Sequence, residues 1–161
     1  MLHVPSSHFF NPQSRSERDN AEQFVRLYSV NPQPFSPMKS YKDLDIYNIS
    51  YELALKTHKM TLTLPQYELY EEGSQVRRSS KGITSCIVEG YGRKRYKADL
   101  IKFLVYAHAS CDETILHLNF LRDTHPEISE KCKELIDSYE ELGGKINRFI
   151  QFVEKEWKGP R

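Results

Sequence analysis

A chain of 161 residues is long enough for one domain with a sizeable core and short for two. With 23 Lys and Arg against 22 Asp and Glu, net charge makes no case for a polyanionic partner, so such a case must rest on where the charges sit. Three cysteines, Cys86, Cys111 and Cys132, each fall inside an expected helix, which suits reduced thiols in the cytoplasm rather than a disulfide framework. No apolar run nears the roughly 18 residues of a membrane span, and the N-terminus lacks the basic and apolar regions of a secretory signal.

Residues 1–38 differ from the rest. They carry Pro5, Pro12, Pro32, Pro34 and Pro37 among many Ser, Asn and Gln, with only Ala21 to Tyr28 able to form a short helix. So little apolar surface does not offset the entropy of ordering, and a mobile or loosely docked tail is expected. Met38 stands where the pattern turns regular, which leaves open a natural start at that point.

The domain expected over 39–161 opens with a helix from about Ser40. Ser40 and Asp43 have the spacing of a capping box, and Leu44, Tyr47, Tyr51, Ala54 and His58 follow at helical intervals. A second series, Ile46, Ile49, Leu53 and Met60, widens the buried face. Pro65 must end this helix. The next helix is expected from about Tyr67 to Gly90, with acidic first turns and an apolar stripe at Val76, Ser80, Ile83 and Ile87.

Gly90-Tyr91-Gly92 predicts the turn, and Arg93, Lys94, Arg95 and Lys97 make the stretch after it strongly positive. A third helix is expected from Lys97 to Arg122, carrying Leu100, Phe103, Leu104, Ala107, Cys111, Ile115, Leu118 and Leu121, and His125-Pro126 ends it. The fourth runs from Ser129 to Trp157, with Leu135, Tyr139, Leu142, Ile146, Phe149 and Val153 at helical spacing. Gly143-Gly144 weakens it locally by roughly 1 kcal/mol per glycine and predicts a kink or a close crossing. Four amphipathic helices with short connections predict an all-α, antiparallel up-down-up-down four-helix bundle. If the second and third helices form a hairpin, Arg78 comes within a turn of Asp112 and Glu113, and a partly buried Arg78 to Glu113 pair is expected.

GSQVRRSSKGITSCIVEGYGR, YKADLIKFLVYAHASCDETILHL, the opening YKDLDIYNISYELA and the Leu64-Pro65 break together resemble the bacterial 23S rRNA intervening-sequence protein family. The matching positions include Leu44, Tyr47, Pro65, Gln75, Arg78, Ile83, Glu89-Gly90, Gly92-Arg93, Phe103-Leu104, Ser110 and Glu113. The resemblance implies a four-helix protomer assembling as a ring-like homopentamer. Some members are encoded inside inserted segments of the 23S rRNA gene. A similar fold serves the accessory variability protein of diversity-generating retroelements, a basic pentamer that binds nucleic acid and a reverse transcriptase. No catalytic residue carries over. The chain departs from the family's Ser-Ile-Pro-Ala-Asn-Ile-Ala-Glu-Gly run, having Gly82, Thr84, Cys86 and Val88 there, which puts any role of that Pro or Asn in doubt.

The basic corner is the leading candidate site. Arg93, Lys94, Arg95 and Lys97 suit phosphates, and Tyr91 and Tyr96 suit stacking on bases of RNA or single-stranded DNA, with Arg77 and Lys81 extending the patch. A solvated helical corner would show the same composition. The set His108, Cys111, Asp112, Glu113 and His117 contains two pairs four residues apart, but the pairs point around different sides of one helix and lack matched ligands on another, so neither metal nor cofactor is expected. The cysteines lie on apolar stripes, where a thiol is an inert small hydrophobe, and there is no phosphate-binding glycine loop. No enzyme activity is expected. Ten tyrosines and eight phenylalanines exceed what one bundle must bury. Tyr47, Tyr51, Tyr67, Tyr70 and Tyr106 are therefore candidate subunit contacts, and a self-assembling scaffold or adaptor for a protein partner is the rival to nucleic-acid binding.

Overall fold

The computed structural model describes residues 39–157. The tail expected over 1–38 lies outside them. Four long helices carry the chain: α1 (Asp45–Thr61), α3 (Glu72–Gly92), α4 (Lys97–Thr124) and α5 (Ser129–Glu156), with a one-turn α2 (Gln66–Tyr70) between the first two. Among the described residues there is no strand.

The expected capping box forms: the Lys42 amide donates to Ser40 Oγ, and the Ser40 amide donates to the Asp43 carboxylate at 2.9 Å. It opens a 3-10 turn, Tyr41–Asp43, rather than the helix itself. Leu44 is extended, and α1 starts anew at Asp45. Of the two apolar series on α1, Ile46, Leu53 and Met60 are buried, while Tyr51 of the other faces out.

The second expected helix is two. Glu71, at φ −87° and ψ −103°, breaks it between α2 and α3. The cause is tertiary. Gly73 is buried so tightly that a Cβ there would stand 3.0 Å from the Glu68 carbonyl and 3.1 Å from Leu64. The Arg77 guanidinium bonds the freed Leu69 carbonyl at 2.8 Å and Thr61 Oγ1 at 3.1 Å.

The expected break at Gly90-Tyr91-Gly92 is also corrected, because α3 continues to Gly92. Gly90 serves close approach instead: an added Cβ would meet Phe103 Cβ at 2.9 Å. α5 runs unbroken through Gly143 and Gly144. The closest atoms to a Cβ on Gly143 would be Cys111 Sγ and His108 Nε2 at ordinary contact distance, so no tight crossing requires that glycine.

α3 packs on both α1 and α4, and α5 likewise touches both, which leaves α1 and α4 at opposite corners. The stripes on α3, α4 and α5 meet as expected, with Val76, Ile83, Ile87, Leu104, Leu118 and Ile146 fully buried. Most polar groups in this core are partnered, His58 Nδ1 being buried without a hydrogen bond among the described residues. Tyr139 Oη lies 2.9 Å from Thr57 Oγ1, Thr114 Oγ1 2.9 Å from Ser79 Oγ, and Cys111 Sγ donates to the Tyr139 carbonyl at 3.1 Å. Among the described residues no helix is long and apolar enough to cross a membrane.

Candidate nucleic-acid interface

The corner between α3 and α4 is built from both sides. Arg93 closes α3, its amide donating to the carbonyls of Glu89 and Gly90. The Tyr96 amide then donates to the Arg93 carbonyl at 2.8 Å, and Tyr96, in an extended conformation, starts α4. The end of α5 is stapled onto this turn by contacts that sequence reasoning missed. Lys97 Nζ donates to the Glu154 carbonyl at 2.6 Å, and Trp157 Nε1 donates to the Lys94 carbonyl at 3.3 Å. A lysine on the last carbonyls of a helix meets the negative end of its dipole. The 57-residue and 63-residue separations of these pairs leave no local signal.

The structure gathers Arg93, Lys94, Arg95, Tyr96 and Lys97 at one end of the bundle but engages them unequally. Arg93 pairs with Glu89 at 2.9 Å and lies 5.1 Å from the centre of the Phe103 ring. Lys94 Nζ sits 3.6 Å over the Tyr91 ring. Lys97 spends its ammonium on α5. Arg95 is exposed and unpartnered among the described residues, and beside it Tyr96 is 63% exposed. A cation and an aromatic face open to solvent, backed by two further cations, can take a phosphate and stack a base.

The remaining candidates do not join this patch. Arg77 is half-buried and holds the elbow between α2 and α3, so it is a strut rather than a phosphate ligand. Lys81 is exposed but lies twelve positions up α3 from Arg93, roughly 18 Å along the helix. The expected Arg78 to Glu113 pair is not formed. Arg78 is exposed without an ion pair among the described residues, and Glu113 instead stands 3.8 Å from His117. The reason is rotational: on a helix Arg78 is turned about 200° from the buried Val76, whereas Arg77 flanks it.

The five tyrosines form no single surface. Tyr47 and Tyr51 stack on α1, Tyr106 lies on α4, and Tyr67 and Tyr70 stand exposed on α2. Alongside them are further exposed apolar residues: Leu55 and Leu62 on α1, and Val105, Leu116 and Phe120 on α4. Their spacing of four, seven and eleven along these helices was the available signal.

At the end away from the corner, His117 Nδ1 lies 2.7 Å from Glu72 Oε2, and the buried His125 lies 3.8 Å from the buried Glu68 and 3.2 Å from Glu127. His108 pairs with Asp112 at 3.3 Å. Among the described residues, no group of three or more His, Cys, Asp and Glu is placed to hold a metal ion. Burial, with the Asp112 carboxylate adding to it, pushes the Cys111 thiol up to about 12, and burial pushes Cys132 up to about 11. Neither is a ready thiolate.

Comparison with known proteins places this architecture. A crystal structure from Bacteroides thetaiotaomicron, described as a protein with unknown function from the S23 ribosomal protein family, superposes with a TM-score of 0.60 at 21% identity, covering 66% of this chain and 95% of that one. This likeness concerns the fold. No curated protein matches the chain. The family model described as 23S rRNA-intervening sequence protein matches residues 42–148, from just before α1 well into α5, so the chain belongs to the 23S rRNA-intervening sequence protein family.

Proposed function

We propose that this chain is a non-enzymatic, cytoplasmic protein that binds RNA through the corner between α3 and α4, as an antiparallel up-down-up-down bundle assembled into a ring-like homo-oligomer. The observation that carries the reading is the exposed Arg95 and Tyr96 pair, backed by Arg93 and Lys94, at one end of an otherwise charge-balanced protein. The family's description points the choice of nucleic acid toward RNA. One corner offers few phosphate contacts. Repetition around an oligomer multiplies them, and effective concentration then raises avidity 10²-fold or more without new contacts.

The test is fluorescence anisotropy with a single-stranded RNA across a salt series. The parent should lose affinity steeply with salt, and a variant with Arg93, Lys94 and Arg95 all changed to Glu should bind at least about tenfold more weakly with a log-log salt slope smaller by about two or three. Salt-independent binding, or a triple variant that matches the parent, defeats the reading.

Tyr67 and Tyr70, 64% and 71% exposed on the far end, favour a second reading, a self-assembling scaffold that carries a protein partner there. Changing both to Ala would leave RNA binding intact under the first reading.

A further inference from the structure

The positive character of the corner end extends beyond the corner itself. Two contacts fix how α1 lies along α3: Ser50 Oγ accepts from Thr84 Oγ1 at 3.0 Å, and further along α1 Thr61 Oγ1 accepts from the Arg77 guanidinium at 3.1 Å. The partners on α3 step back toward its start as α1 advances, so the start of α1 lies at the end of α3. Lys42 stands eight residues before Ser50, and Gly92 eight after Thr84. At the helical rise both offsets are roughly 12 Å toward the same end. The 3-10 turn Tyr41–Asp43 also touches α3 directly. It sits beside the last turn of α3, across that helix end from the corner.

This turn presents cations on a fixed backbone. The Asp43 carboxylate accepts from the amides of Lys39 and Ser40, both at 2.9 Å, while the Lys42 amide donates to Ser40 Oγ at 3.2 Å. Asn48 Nδ2 donates to the Lys42 carbonyl at 3.0 Å and ties the turn onto α1. The acid of the turn is therefore occupied by amides. Lys39 and Lys42 are exposed, and neither pairs with a carboxylate among the described residues. Between them Tyr41 is half-buried, edge-on to Tyr47 with ring centres 4.8 Å apart. Of the acids at this end, Asp45 and Glu89 have partners of their own, Asp99 opens α4 beyond Tyr96, and Glu154 and Glu156 close α5, diagonally across from α3. Cations with a ring beside them on each side of one helix end match an extended strand, with its repeating phosphates and bases, rather than a point anion.

We propose that the turn before α1 is the second half of the RNA site. One single strand crosses the end of α3, its phosphates meeting Arg95 at the corner and Lys39 and Lys42 at the turn, with bases against Tyr96 and the exposed part of Tyr41. Single strands suit these rings because their bases are free to stack on side chains. The assignment rests on the RNA reading and adds the second stretch of that contact surface.

The experiment uses the full chain and single-stranded RNA across a salt series. One variant carries Lys39→Ala with Lys42→Ala. A second carries Lys56→Ala with Lys59→Ala, which removes the same charge from exposed positions further along α1. Alanine keeps the amides that form the turn, and circular dichroism confirms retained helicity. The first variant should bind about tenfold more weakly, with a log-log salt slope smaller by about 1.4, the loss of two phosphate contacts at roughly 0.7 each. The second should stay within about twofold of the parent, because its lysines lie beyond the screening length of about 10 Å from the strand. Equal losses from the two variants mean that the lysines act only through net charge, which overturns the assignment of the turn. A Lys39 and Lys42 variant that binds like the parent, while the triple corner variant loses affinity, also overturns it and leaves the corner standing. A parent without salt-sensitive binding overturns the RNA reading and this inference together.

Discussion

The corner end and the elbow end of this bundle treat charge in opposite ways. At the corner, Arg95 faces solvent, and Arg93 and Lys94 are met by one carboxylate and two aromatic rings. At the elbow, charged groups are drawn into the packing: Arg77 onto the Leu69 carbonyl, Glu68 beside His125, Glu72 against His117. Exposed cations contribute little to stability and remain available to a ligand. Groups sealed against a partner hold the fold, and removing one leaves the other unsatisfied. Function should therefore respond to changes at the corner, and stability to changes at the elbow and the core it adjoins.

The largest effect expected is alkaline. Cys132, in the first turns of α5 near the elbow, and Cys111, deeper in the core, are buried with thiols raised to about 11 and about 12 from an ordinary 9.0, and burial also raises the Tyr139 hydroxyl. Because the folded values lie above the unfolded ones, the stability tied to these neutral groups is fully present below about pH 9. It is lost as pH climbs toward 11 and 12. At about 1.4 kcal/mol per unit between protonation states, these groups together can remove several kcal/mol, most of the stability of a domain this size. Thermal melts across the alkaline range should show Tm falling from about pH 9, with the same slope in corner variants. A flat Tm to about pH 11 would mean that these groups are not held neutral by burial.

Arg77→Ala and Arg78→Ala separate the two kinds of cation within one helix. The first strips the Leu69 carbonyl and Thr61 of a charged donor and should cost about 2 kcal/mol in urea unfolding. The second removes an exposed side chain and should stay within about 0.5 kcal/mol. Neither should change RNA affinity as the corner substitutions do. Equal losses from the two would mean that Arg77 is not the strut its contacts indicate.

These neighbours also show how far the sequence could be read. The stripes through Val76 to Ile87, Leu100 to Leu121 and Leu135 to Val153 are periodic over several turns, and periodicity survives packing, so the core of α3, α4 and α5 was legible. Arg77 and Arg78 exchange their expected roles, because composition weighs both only as charges, whereas their rotation from Val76 sets one on the flank and one outside. The break at Glu71 was not legible. QYELYEEGSQV holds good helix formers on both sides of the single Gly73, which a helix tolerates at a cost of about 1 kcal/mol, and what stops the helix is the burial of Gly73 and the reach of Arg77 to Leu69, both tertiary. The corner was legible as composition, but its unequal engagement was not, since Lys97 and Trp157 find partners across the whole of α4 and α5.

Two glycines should act in opposite directions. Gly90 lies where α3 and α4 converge on the corner, and a methyl there would stand 2.9 Å from Phe103 Cβ, an atom fixed to the backbone that cannot swing away. Gly90→Ala should cost about 1–3 kcal/mol by overpacking, and by pushing α4 outward it should also shift the corner that Arg95 and Tyr96 occupy, weakening RNA binding. Gly144 sits in the interior of α5, and the nearest atom to a methyl there is the flexible Arg148 guanidinium at 4.0 Å. Gly144→Ala should therefore stabilise by roughly 0.5–1 kcal/mol through the reduced entropy of the unfolded chain, with RNA binding unchanged. Opposite signs in urea unfolding, with an RNA defect only in the first, are expected. If both stabilise, then the two helices do not approach at Gly90 as closely as the corner requires.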